Sequence, residues 1–123
     1  MTMLFAEPQL FVTDIDRAVD HYVGRLGFRL VFSHGEPAFY AQVARDGARL
    51  NLRHVDGPAF DARFREAEGD VLSATITVDD AEALFAEFDR AGAPFHQPLR
   101  TEEWGARTFM VADPDGNLIL FAG

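Results

Sequence analysis

The sequence predicts an α+β fold made of two βαβββ modules. Three observations carry that prediction. The chain has 123 residues, a length that fits one domain. The string strand, aspartate cap, helix, glycine occurs twice, as Val12-Thr13-Asp14 to Gly27 and as Val78-Asp79-Asp80 to Gly92. An Asp-Gly turn between two strand-like segments also occurs twice, at Asp46-Gly47 and at Asp115-Gly116. One such unit is too small to bury its own sheet, so the two must share a core.

Each element has its own local reason. The first strand runs from near Ala6 to Val12. Thr13-Asp14 offers a helix N-cap, and Ile15, Ala18, Val19, Tyr22, Val23 and Leu26 follow at helical spacing. Gly27 ends that helix as a residue free to take positive φ. Phe28 to Ser33 is the second strand. Phe39 to Ala44 alternates, Arg45-Asp46-Gly47 turns, and Ala48 to His54 returns as the hairpin partner. Between Asp56 and Asp70, Gly57-Pro58 breaks regular structure, while Phe60 and Phe64, four apart, suit one or two helical turns. Val71 to Val78 is a strand with Ala74, Ile76 and Val78 on one face. Asp79-Asp80 caps a helix with the apolar stripe Ala81, Leu84, Phe85 and Phe88, closed by Gly92. Ala93 to His96 is a short strand, and Arg107–Ala112 and Asn117–Ala122 form a hairpin around Asp113-Pro114-Asp115-Gly116. The division is a single domain, 1–123, with modules at about 4–55 and 70–122 and a linker at 56–69.

Composition narrows the function. Apolar residues make up 48% and charged residues 25%, an ordinary globular balance. The absence of cysteine excludes a disulfide framework, a Cys-ligated metal and a thiol nucleophile. Twenty acids against 11 bases give a formal charge of −9, which repels nucleic acid and favours a cationic small molecule. No run approaches the roughly 18 apolar residues of a membrane span, so no membrane partner is expected. Met1 to Leu10 lacks the basic and apolar regions of a signal peptide, and the expected compartment is the cytoplasm. Twelve phenylalanines stand beside one tryptophan and two tyrosines; most belong to the core, with a few left to line a cavity.

Three runs in order resemble the vicinal oxygen chelate superfamily, which holds glyoxalase I, extradiol dioxygenases, fosfomycin resistance enzymes and bleomycin resistance proteins. They are Val12-Thr13-Asp14-Ile15-Asp16-Arg17-Ala18, the run Tyr22 to Phe28, and Asp113-Pro114-Asp115-Gly116-Asn117. The resemblance spans essentially the whole chain. It implies that the modules form a curved mixed sheet around a cleft. In the superfamily's metalloenzymes that cleft holds an ion on His and Glu of the first and last strands of each module. The matching positions here are Glu7, Asn51, Ser73 and Leu120. A catalytic divalent ion typically needs three firm protein ligands. Leucine cannot ligate, and an amide and a hydroxyl are weak ligands for zinc or iron(II). The expectation is therefore no metal, no cofactor, and no glyoxalase or dioxygenase activity carried over from the fold. Of His21, His34, His54 and His96, none forms an i, i+4 metal pair, and His54 is the one expected to border the cleft.

Within the superfamily the chain looks most like the bleomycin resistance type. The run Glu103-Trp104-Gly105-Ala106-Arg107-Thr108-Phe109 places a Trp-Gly just ahead of the seventh strand, as in those proteins. They bind drug in a groove at a dimer interface without chemistry. The resemblance thus implies a metal-free binding or drug-sequestering protein, active in antibiotic resistance as a homodimer. Its expected ligand-binding residues are Trp104, Phe39, Glu7, Asn51, His54, Phe60, Phe64 and Arg107, with no catalytic residue assigned. Arg107 also has Glu103 as a nearby structural partner. The expected ligand is a planar aromatic molecule, cationic in view of the net charge. The alternative on the same fold is a metal-independent lyase or isomerase with Glu7 as general base. A third is a sensor domain or subunit whose ligand controls another protein.

Overall fold

The computed structural model describes residues 1–123. The first module comprises β1 (Gln9–Val12), α1 (Ile15–Gly24), β2 (Arg29–Gly35), β3 (Ala38–Arg45) and β4 (Ala48–His54). A short helix, α2 (Ala62–Glu68), leads to the second: β5 (Leu72–Thr77), α3 (Ala81–Arg90), β6 (Phe95–Thr101), β7 (Arg107–Ala112) and β8 (Leu118–Ala122). The strands form two four-stranded mixed sheets of the same order, β1-β4-β3-β2 and β5-β8-β7-β6. In each, the first strand runs parallel to the last and the other pairs are antiparallel.

Local chemistry explains these elements. Asp14 caps α1 by accepting the Arg17 N–H at 3.0 Å, and Asp80 caps α3 by accepting the Ala83 N–H at 2.9 Å. Asp61 caps α2 through the N–H groups of Arg63 and Phe64. The turn at Asp46-Gly47 has two residues, with Asp46 at φ 49°. It pairs Arg45 with Ala48 and so sets Gln42 opposite Asn51 and Tyr40 opposite Arg53.

One contiguous core joins the modules. Leu10, Val12, Tyr22, Val43 and Leu52 come from the first, and Phe88, Phe109, Ile119 and Phe121 from the second. Phe88 meets Phe109 and Phe121 edge-on, with ring centroids 5.8 and 5.2 Å apart. Such contacts each add about 0.5–1.5 kcal/mol beyond area burial. A buried polar clasp ties the β7–β8 turn to the first module. Asp113 accepts the Tyr22 hydroxyl at 2.9 Å, the Asn117 amide at 2.8 Å and the backbone N–H groups of Asp115 and Asn117. Asn117 donates further to the Phe11 carbonyl, and the Thr13 hydroxyl donates to Asp115. Burial raises the Asp113 carboxyl above the usual carboxylate range, and burial beside Asp113 pushes the Tyr22 phenol well above its ordinary value.

Three boundaries differ from the sequence reading. β1 begins at Gln9 rather than near Ala6, because Pro8 has no N–H to give to a ladder; its carbonyl accepts the Asn51 N–H instead. α1 closes at Gly24, and Gly27 (φ 70°) sits in the turn beyond it, where the Phe28 N–H reaches back to the Tyr22 carbonyl. β6 runs on to Thr101 instead of stopping at His96, crossing Pro98 by shifting register around Gln97.

Candidate functional site

Strand alternation decides which side chains reach the sheet face that α1 leaves uncovered. In β4, Leu50 and Leu52 enter the core, so Asn51 and Arg53 point the other way. In β1, Leu10 and Val12 are buried, so Gln9 and Phe11 share the face with Asn51 and Arg53. The hairpin register adds Gln42 and Tyr40 from β3. Phe32 of β2 stacks on Tyr40, centroids 6.0 Å apart, with His34 5.0 Å from Phe32.

At the centre of this face lies a carboxylate held by amides. Gln42 Nε2 donates to Glu7 Oε1 at 3.0 Å and to Asn51 Oδ1 at 2.9 Å. Asn51 Nδ2 donates to Glu7 Oε2 at 3.3 Å. No Lys, Arg or His pairs with Glu7. Its charge is oriented but not neutralised, and Gln42 and Asn51 are themselves almost fully buried. Around it stand the Tyr40 hydroxyl, spent on Gln9 at 2.9 Å, and the Arg53 guanidinium, 5.8 Å over the Phe11 ring. The face therefore offers stacking surface beside a negative charge.

Of the eight sequence candidates, the structure brings Glu7 and Asn51 together here. Phe39 points to the opposite face, where its ring lies over Gly35 so closely that a Cβ there would collide with it. His54 falls on the core side at the end of β4 and pairs with Asp56 at 3.0 Å. Phe60 lies under the Arg65 guanidinium at 4.1 Å, and Phe64 is exposed on α2. Arg107 reaches Glu82 of α3 at 2.7 Å, not Glu103, because odd-numbered β7 residues face the helix. Trp104 stands three-quarters exposed in the β6–β7 turn, next to Gly105 at φ 95°. Sequence reasoning left out Phe32, Tyr40 and Gln42; the two-residue turn at Asp46-Gly47 was the signal that pairs Gln42 with Asn51.

The four positions matching the superfamily's metal ligands do not make a donor set for a divalent ion. Both oxygens of Glu7 accept from amides, Ser73 donates its hydroxyl to Asn117 Oδ1 at 2.7 Å, and Leu120 has no donor. No three His, Asp or Glu side chains converge anywhere in the molecule as a metal site would require.

Comparisons with known proteins agree with this architecture. A bleomycin resistance protein of Geobacillus stearothermophilus is 28% identical over 129 residues, covering 97% of this chain and 96% of that protein. TioX from Micromonospora sp. ML1 superposes with a TM-score of 0.74 at 30% identity, covering 94% of each chain. The bleomycin-binding protein of the bleomycin producer Streptomyces verticillus, solved with copper(II)-bleomycin, superposes with a TM-score of 0.74 at 28% identity, covering 98% of this chain and 96% of that one. The model of the Glyoxalase/Bleomycin resistance protein/Dioxygenase superfamily matches residues 4–121, so the chain belongs to that superfamily.

Proposed function

We propose that this protein binds a planar, cationic aromatic molecule on the open face of the first sheet and holds it without changing it chemically. The observation that carries this reading is the Glu7 carboxylate, fixed by Gln42 and Asn51 and in no ion pair, beside the stacked Phe32–Tyr40 pair. A flat ring on Tyr40 gains on the order of 1 kcal/mol from stacking, and a cationic ring gains about 0.5–2 kcal/mol more from the aromatic face. The net charge of −9 raises the local concentration of such a ligand. The similarity to a bleomycin-binding protein supports sequestration of a drug as the outcome. Glu7 has no proton-transfer partner: the Tyr40 hydroxyl is committed to Gln9, and no His reaches the carboxylate.

The binding unit in this reading is a homodimer. β2 exposes Leu30 and Val31, and Phe39 on the adjacent β3 adds apolar surface, 38–58% exposed in the single chain. A second copy covering this edge would close the face into a groove, with Trp104 on its rim. Calorimetric titration with proflavine, metal-free bleomycin and 9-anthracenecarboxylate tests the proposal. The cations bind with micromolar or better affinity and are recovered with unchanged mass, affinity falls as salt rises, and sedimentation reports twice the 13.7 kDa chain mass. Preference for the anthracene anion, or a ligand recovered chemically altered, contradicts it.

A further inference from the structure

The two modules reach across to each other at two equivalent junctions, and only one is sealed. Arg45–Ala48 closes the β3–β4 hairpin as Asp113–Asn117 closes the β7–β8 hairpin. At the β7–β8 junction, Asp113 takes the Tyr22 hydroxyl, Asn117 fills the gap to the Phe11 carbonyl, and Thr13 bonds Asp115. At the β3–β4 junction the corresponding residues are different. Ala48 stands at the position of Asn117, Phe88 at that of Tyr22, Asp79 at that of Thr13, and Asp46 in the turn that matches the Asp115 turn. Arg45 turns outward to a bidentate pair with Glu87, at 2.6 and 3.0 Å. Two carboxylates at these positions cannot make the bond that Thr13 makes to Asp115, and an alanine cannot bridge the gap that Asn117 fills.

The consequence is a cavity of about 650 Å³ between the β3–β4 turn and the β5–α3 segment. Its lining is mixed: Ala74, Ile76, Val78 and Leu84 present apolar surface to it, with the buried Leu50 and Phe88 behind them, and Thr75 and Thr77 add polar groups. The volume lies within the ~300–1,000 Å³ of small-molecule sites. Asp46, Asp79 and Asp80 stand among its lining residues. The two lining arginines are turned to other partners, Arg45 to Glu87 and the Leu26 carbonyl, and Arg49 to the Phe5 ring at 4.8 Å. Asp80 is committed to capping α3, whereas Asp46 and Asp79 make no hydrogen bond or ion pair through their side chains.

We propose that this cavity is a second binding site, separate from the face around Glu7, and that it takes a cationic amphiphile. The apolar part would enter against Ile76, Val78 and Leu84, leaving the cationic head near Asp46 and Asp79. The site needs neither the stacking pair nor Glu7, so its success or failure is independent of the function proposed above.

Methyl NMR of the 123-residue chain with three probes of equal chain length tests this: hexyltrimethylammonium, hexanol and hexanesulfonate. At low ionic strength the ammonium shifts the methyls of Leu50, Ile76 and Leu84 while leaving the Tyr40 ring unmoved. It binds at least threefold tighter than hexanol and at least tenfold tighter than the sulfonate. Ala74→Phe, which fills the cavity from β5, weakens the ammonium at least tenfold. Asp79→Asn keeps hexanol binding unchanged and cuts the preference for the cation below twofold, which holds the test open should the filled variant fail to fold. The proposal is overturned if none of the probes moves these methyls, or if the sulfonate binds as well as the ammonium. Intermolecular contacts from Met1–Phe5 of a second copy to Ile76 would also overturn it, by making the cavity a seat for that segment.

Discussion

The two sheets share one strand order and matching register, yet their corresponding positions carry opposite chemistry. Where the first sheet has Glu7, Gln42 and Asn51, the second has Ser73, Met110 and Leu120. Where the first has Tyr40 opposite Arg53, the second has Thr108 opposite Ala122. The helices diverge in the same way: His21 of α1 matches Glu87 of α3, one buried and neutral, the other paired with Arg45. The core positions, by contrast, are apolar in both modules. The scaffold is thus repeated and the faces are not, so the specificity proposed here rests on side chains that the repeated scaffold does not share.

If that division holds, the largest losses come from the seam and not from the faces. Asp113→Ala strands the Tyr22 hydroxyl and removes an acceptor from Asn117 and from two backbone N–H groups. A loss of about 3–4 kcal/mol is expected in urea unfolding. A loss below about 1 kcal/mol would place the seam elsewhere.

The helix difference predicts a pH dependence. Burial, with a smaller contribution from Arg25, lowers His21 from 6.5 to about 4. The unfolded chain therefore binds a proton on His21 more readily than the folded one. This contribution to stability is complete above pH 6.5 and is lost as pH falls towards 4, by on the order of 3 kcal/mol. His21→Leu should flatten the curve in that window. An unchanged slope in the variant would assign it to other groups.

On the open face the three polar residues act as a unit. Asn51→Leu alone removes one of the two amides holding Glu7 and takes the oxygen from Gln42, for a loss of about 1–2 kcal/mol. Replacing all three by their second-sheet counterparts, Glu7→Ser, Gln42→Met and Asn51→Leu, removes both buried amides together with the carboxylate they hold, leaves only a half-buried hydroxyl, and costs less than about 1 kcal/mol. A triple variant less stable than the single one would show that the face is structural. Tyr40→Ala has the smallest effect: roughly fivefold in affinity for proflavine, from about 1 kcal/mol of stacking.

The fold was legible because its determinants are local and repeated. Asp14 and Asp80 cap helices, Asp46-Gly47 turns a hairpin, and the apolar spacing of both helices is plain along the chain. The clasp was visible only as a turn motif. Nothing in Asp113-Pro114-Asp115-Gly116-Asn117 itself says that Tyr22, 91 residues away, supplies a hydroxyl to it. The site was half legible. Glu7 and Asn51 follow from their places relative to the motifs, whereas Phe39, expected as a groove aromatic, depends on which face of β3 it occupies. One residue along β3 moves a side chain to the other side of the sheet, and Tyr40, its neighbour, is the aromatic beside Glu7. The cavity at the β3–β4 junction was not legible at all, because it arises from three substitutions in segments far apart in sequence.

The central claim is that the open face of the first sheet selects cations through Glu7 and its two amides. The most direct measurement is a titration of the wild-type protein and the Glu7→Ser, Gln42→Met, Asn51→Leu variant with proflavine and 9-anthracenecarboxylate at low and high salt. The account predicts that the wild type prefers the cation at least tenfold at low salt, and that the variant, still folded, loses this preference while retaining weak binding to both rings through Phe32 and Tyr40. A folded variant that keeps the full preference for proflavine would contradict it.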